Sequence, residues 1–195
     1  MLGLLIRALQ CFVRDTYGAE KWVLIAQEAG HEHCNYEPML SYPPDETRAL
    51  FRYAARILNA SGRELLEDIG SYLVSHQNMS GFRRLLRFGG DNFVEFLFSL
   101  NDFEQRASLA LPDMSFPAIT VSRASSNVFD LHCRWNFEGY EPIVFGAVRA
   151  MADDYGALVL VDHLPKTGED VSIRVSLLDR TFAPGREFSI VGYHV

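Results

Sequence analysis

The hydrophobic period of the chain changes once, after Pro112, and that change limits the class of fold open to it. Before it, apolar residues recur at three- and four-residue spacing. Leu2, Leu5, Ile6, Leu9, Phe12 and Val13 form the stripe of a first amphipathic helix packed on a core. Tyr17 to Trp22 begins a second helix that ends near Gly30. A connection rich in turn formers, with two consecutive prolines, leads to a third helix after Pro44, whose Asp45 and Glu46 complement the helix dipole. Ser61 and Glu64 fit a capping box that opens a helix reaching about Ser75. A short helix spans about 80–87, Gly89-Gly90 stops it, and Asp91 is placed to cap a long helix over about 91–109. That helix carries Phe93, Phe96, Phe98 and Phe103 over so much of its girth that it should be largely buried.

Beyond Pro112 the pattern becomes that of strands around one helix. Residues 118–121 and 128–135 read as strands, 142–155 as a helix and 157–163 as an apolar strand. Val171, Ile173, Val175 and Leu177 alternate with Ser172, Arg174 and Ser176, the period of a half-buried strand, and a last strand is expected at 188–193. Helices first, then strands about one helix, predict an α+β fold with two subdomains.

Charge and motifs narrow the function. Lys plus Arg number 18 against 25 Asp plus Glu, for a net charge of −7. The mean field therefore repels phosphate, and no Lys/Arg stripe offsets it, which argues against nucleic acid as a partner. Ample aromatic residues (Phe 14, Tyr 8, Trp 2) exclude a disordered chain. Cys11, Cys34 and Cys133 are too few and too scattered for a disulfide framework, and a reducing cytoplasm is the expected location. The start of the chain lacks the basic opening of a signal peptide, and no stretch of about 18 apolar residues occurs, so no membrane span is expected.

The familiar catalytic templates fail: no GxGxxG, Walker loop, GxSxG or HExxH is present, and the chain is not expected to be an enzyme. His31-Glu32-His33-Cys34 crowds three potential ligands into four residues where zinc needs four at workable spacing, so it is read as a solvated loop. His76 and His163 stand alone in sequence and read as surface or satisfied core residues. Asp153-Asp154, near a helix end, read as an exposed face without an acid–base partner. Glu104 with Cys133 makes a poor acid–nucleophile pair, because a carboxylate opposes the thiolate.

Four segments do carry a family likeness. They are Tyr17-Gly18-x-Glu20-x-Trp22; Phe96-Leu97-x-x-Leu100-Asn101; Leu109-x-Leu111-Pro112-x-Met114-x-x-Pro117; and Gly139 followed by Ile143-Val144-x-Gly146. On these the chain resembles, over nearly all of its length, the haem-nitric oxide/oxygen binding family, the sensor domain of soluble guanylate cyclases and of bacterial gas sensors. The resemblance implies one domain over 1–195, with a helical subdomain over about 1–60 and long helices plus an antiparallel sheet over about 61–195. It also implies haem between the subdomains, a histidine on the long helix ligating iron, and a Tyr-x-Ser-x-Arg run holding the propionates. A proline packs on the macrocycle, and Pro117 takes that place. Stand-alone relatives of this size regulate a signalling partner, often a histidine kinase or a cyclic-dinucleotide enzyme.

The departures fall on the chemistry. Aligning Leu100-Asn101 and Pro112 puts Glu104 at the proximal ligand position, and aligning Leu131 and Gly139 puts Cys133, Trp135 and Phe137 at the propionate positions. Carboxylate is a harder, weaker match for haem iron than imidazole, and in an apolar pocket it must be desolvated or neutralised. Each lost charge-assisted hydrogen bond costs roughly 1.5–3 kcal/mol. Two or three such losses, with the axial bond, exceed about 5 kcal/mol, a thousandfold or more in affinity at about 1.4 kcal/mol per decade. Strand alternation puts His132 and Arg134 on the opposite face from Cys133, so neither can replace a lost anchor without a bulge. Trp135 and Phe137 are expected to fill part of the haem site against the pocket wall of Phe96, Leu100 and Phe103. The reading is a sensory or regulatory domain with impaired or no haem binding, which takes either another small apolar ligand or none. The alternative is a working haem gas sensor with non-standard ligation through Glu104 or His132.

Overall fold

The computed structural model describes residues 2–31, 35–37, 40–110, 115–135, 139–165 and 171–188. It divides the chain into two units, Met1–Ile69 and Gly70–Val195.

The first unit is helical. The apolar stripe expected near the start forms α1 (Leu2–Tyr17), with Leu5, Ile6, Leu9, Phe12 and Val13 buried. Gly18 adopts φ 93°, a conformation that residues with a Cβ rarely take, and the chain reverses there into α2 (Ala19–Glu28). Trp22 and Ile25 of α2 are buried, with Trp22 edge-on to Tyr36 at 5.8 Å. Gln10 is wholly buried but satisfied: its amide donates to Asn35 Oδ1 at 3.1 Å, and its carbonyl accepts from the Tyr36 amide at 3.3 Å. Pro44 opens α3 (Pro44–Leu58), which ends at Asn59 in the left-handed region. The capping box then forms as expected at the start of α4 (Gly62–Ser75). Glu64 N–H donates to Ser61 Oγ at 3.1 Å, and Ser61 N–H donates to the Glu64 carboxylate at 2.8 Å, which holds that carboxyl below its ordinary range.

The second unit begins within α4 and continues through α5 (Ser80–Arg87) into the Phe-rich segment. The uninterrupted helix expected over 91–109 is in fact three pieces: α6 (Phe93–Ser99), a 3-10 turn (Leu100–Asp102) and α7 (Phe103–Ala110). Asn92, rather than Asp91, is the cap, its Oδ1 accepting from the amides of Val94 and Glu95 at 3.1 Å. The break has a local cause. Ser99 Oγ donates to the Phe96 carbonyl at 2.7 Å and the Asn101 amide to the Phe98 carbonyl at 2.8 Å, in competition with the helix ladder. Asn101 Oδ1 then accepts the Val121 amide at 2.9 Å, tying the turn to the sheet.

That sheet has four antiparallel strands in the order β1-β2-β4-β3: β1 (Ala118–Ser125), β2 (Val128–Arg134), β3 (Leu158–His163) and β4 (Val171–Asp179). Leu131 lies between Val121 and Ile173, and all three are buried. Helix α8 (Glu141–Tyr155) is buried along most of its length. It meets α4 backbone to backbone at Gly70, where a Cβ would strike the Ile143 carbonyl, and Ser71 Oγ donates to the Gly146 carbonyl at 3.3 Å. The α+β architecture is therefore the one the hydrophobic period implied. Of the expected last strand, Phe188 is irregular and 189–193 lie outside the described residues.

Candidate ligand site

Glu104 is the second residue of α7 and is exposed; its charge lies at the positive end of that helix. The hydrophobic residues before it turn the other way. Phe103 is 4% exposed and edge-on to Phe116 at 5.9 Å and Phe82 at 6.4 Å. Leu100 is buried in the 3-10 turn. Phe96 is buried against Phe93 and Tyr155, each 5.8 Å away. The segment thus separates its expected pocket-wall residues, all buried, from the acid expected at the ligand position.

At the end of β2 the contacts converge. Cys133 is 1% exposed and shares a buried face with Phe129 and Leu131. Tyr140 Oη donates to the Cys133 carbonyl at 2.6 Å. Trp135, one residue past the strand, is half-buried, edge-on to Tyr140 at 5.6 Å, and donates from Nε1 to Ser115 Oγ at 3.3 Å. Ser115 leads into Phe116, which touches Phe103, and into buried Pro117. Residues 115–117 therefore bridge two of the segments that spacing assigned to the site. Phe137 lies outside the described residues.

The opposite face of β2 is polar. The β1–β2 register runs without a shift from Phe129 to Arg134, so Asp130, His132 and Arg134 point away from the Cys133 face. His132 Nδ1 is hydrogen-bonded to Ser172 Oγ at 2.9 Å. Arg174 grips Asp130 with two bonds of 2.7 and 2.8 Å, and this pairing holds the Asp130 carboxyl below the usual range. Among the described residues no group of three or more His, Cys, Asp or Glu could hold a metal ion. His31 lies edge-on to Tyr36, while Glu32, His33 and Cys34 are outside the described residues. His76 stacks on Tyr72 at 4.7 Å, and His163 stacks on Phe145 at 4.6 Å.

The model of the haem-NO-binding family matches residues 2–163. The chain belongs to that family. Its relatives include the soluble guanylate cyclase gcy-37 of Caenorhabditis elegans, 28% identical over 157 residues, which are 78% of this chain and 22% of that one. The soluble guanylate cyclase 89Db of Drosophila melanogaster is 19% identical over 88% of this chain and 26% of its own length. This chain thus spans about a quarter of those relatives. An H-NOX protein from S. oneidensis in the Fe(II) ligation state superposes with a TM-score of 0.78 at 17% identity, covering 92% of this chain and 97% of that one. An oxygen-binding H-NOX domain related to soluble guanylate cyclases gives 0.70 at 14%, covering 96% and 100%. These likenesses establish the shared fold. Among the described residues no helix is long and apolar enough to cross a membrane.

Haem is the group the family name supplies, and the side chains at the assigned anchors are a poor fit to it. Glu104, which motif spacing aligns with the iron ligand, is an exposed carboxylate, and Cys133, aligned with the first propionate anchor, is a buried thiol packed in an apolar sheet face. Trp135, aligned with the second, is an indole whose N–H already serves Ser115, while the neighbouring cation, Arg134, is on the other side of the strand. None of these supplies an imidazole for iron or a guanidinium for a propionate.

One charged residue was misread from sequence. Asp153 is exposed as expected, but Asp154 is 1% exposed and surrounded by guanidinium groups. The signal was present: Val148, Met151 and Asp154 follow one another at three-residue steps, along the buried stripe of α8. Its neighbour Tyr155 donates to the Gly90 carbonyl at 2.7 Å, and burial pushes its phenol up to about 12.

Proposed function

We propose that the chain is a sensory or regulatory module of the haem-NO-binding family whose haem binding is impaired or lost, and which acts through a signalling partner. The observation that carries this reading is the placement of Glu104: the residue that motif spacing aligns with the iron ligand is an exposed carboxylate, while Leu100 and Phe103 before it are buried. Cys133 and Trp135 add support: the Cys133 thiol is buried on an apolar sheet face, and the Trp135 indole N–H donates to Ser115 Oγ. The module itself carries out no catalysis in this reading. A small apolar ligand, or none, takes the place of haem, and the response is a shift of one subdomain against the other, biased by occupancy. The partner is a protein of the histidine-kinase or cyclic-dinucleotide-enzyme kind, by the resemblance to stand-alone members of the family.

The test is an absorbance titration of the purified protein with haem, under reducing conditions and with and without nitric oxide. The proposal expects no saturable Soret band at micromolar protein. A sharp, stoichiometric Soret band that shifts with nitric oxide would restore the gas-sensor reading.

A further inference from the structure

After β4 the chain continues as an irregular segment held by polar contacts to the second unit. Residues 181–187 are exposed and Phe188 is half-buried, so little apolar area anchors them. The Ala183 amide donates to the Gly156 carbonyl at 3.1 Å, and the Arg186 amide to the Asp154 carbonyl at 2.9 Å. The fit is close: a Cβ at Gly156 would strike the Ala183 carbonyl, and one at Gly185 would lie 3.1 Å from the Asp154 carbonyl.

The side chains converge on one buried carboxylate. Arg83 Nε lies 2.8 Å from Asp154 Oδ1, Arg186 Nε 3.8 Å from the same oxygen and Arg87 Nε 3.7 Å from Oδ2. Arg83 also donates to the Glu187 carbonyl, and Arg186 to the Ser75 carbonyl, both at 3.0 Å. The Phe188 ring sits beneath the guanidinium groups of Arg83 and Arg87, at 5.9 and 5.2 Å. Among the described residues three cations face one acid, and there neither Asp154 Oδ2 nor Arg87 Nε, both buried, makes a hydrogen bond. The segment therefore supplies one of the three cations and closes over a corner held together by polar contacts rather than by an apolar core.

We propose that residues 181–188 are a releasable strap, docked on the ends of α4, α5 and α8 through Asp154, so that this corner has a closed and an open state. Opening breaks the two backbone bonds at Ala183 and Arg186, the Arg83–Glu187 and Arg186–Ser75 bonds and the Arg186–Asp154 pair, and uncovers Arg83, Arg87 and the ring of Tyr155 while the sheet stays folded. A segment whose anchors are polar and whose residues 181–187 are exposed opens at lower cost than the buried strands it follows. The device depends on no haem and stands apart from the function proposed above.

Hydrogen exchange on the full chain tests it. In the wild type, the amides of Ala183 and Arg186 should exchange faster than those of β2 and β4. Arg186→Ala removes an exposed side chain, a carbonyl bond and a long ion pair, and should speed exchange at those two positions about five- to tenfold without changing β2 or β4. Asp154→Asn should speed it further, and Arg180→Ala, at the root of the strap, should leave it within about twofold. If Asp154→Asn fails to fold, Arg186→Ala alone decides. Exchange at 183 and 186 that matches β2 and β4 in every variant, that ignores Arg186→Ala, or that responds more to Arg180→Ala would overturn the proposal.

Discussion

The buried face of β2 and the start of α7 place opposite demands on their residues. Phe129, Leu131 and Cys133 sit in a dry layer between neighbouring strands, where only volume and shape matter. Glu104 stands in water on a helix whose preceding residue, Phe103, does the packing. The fold therefore persists whichever polar group stands at position 104. The thiol of Cys133 is tolerated because it behaves as a small hydrophobe. The carboxylate of Glu104 is tolerated because the packed core does not depend on it.

Substitutions can break or sharpen that contrast. The largest loss is expected from Phe129→Ala. Its ring is fully buried and edge-on to Phe98 at 5.8 Å, and its removal should cost about 3–5 kcal/mol in urea unfolding. Next is Gly70→Ala, which drives a methyl group into the Ile143 carbonyl where α4 meets α8. A loss of about 1–3 kcal/mol is expected, and one below about 0.5 kcal/mol would mean that the two helices are free to part. On the polar face of the same strand, Asp130→Asn should cost only about 0.5–1 kcal/mol. The pH dependence has a fixed sign there. Because Arg174 lowers the folded carboxyl below its unfolded value of about 3.9, the stabilisation is complete above that pH and disappears as pH falls through the lowered value. Asp130→Asn should therefore narrow the gap between stability at neutral and strongly acid pH. Smallest of all, Glu104→Gln should shift stability by less than about 0.5 kcal/mol; a larger change would show that the acid has a hidden structural role.

Most of the fold was legible because burial writes itself into period. The alternation at 171–177 became β4, and the Ser61–Glu64 pair became a reciprocal cap. The errors came from side chains that bond to the backbone. Asn92 rather than Asp91 capped α6, and Ser99 with Asn101 broke an apolar run that by pattern alone should have continued as helix. Asp154 escaped because its three arginines come from positions 83, 87 and 186, a convergence that no local window contains. At the candidate site, the alternation along β2 correctly separated Cys133 from His132 and Arg134. The bridge from Trp135 through Ser115 and Phe116 to Phe103 was not legible, since it joins three segments separated in the chain.

Glu104, Cys133, Trp135 and Phe137 are proposed to lack the means to hold haem. The most direct measurement compares haem titrations of the wild type with those of a variant carrying Glu104→His, Cys133→Tyr, Trp135→Ser and Phe137→Arg together. A Soret band that saturates is expected in the variant, with a wild-type affinity weaker by at least about a thousandfold. Wild-type protein that takes up one equivalent of haem as tightly as the variant would contradict it.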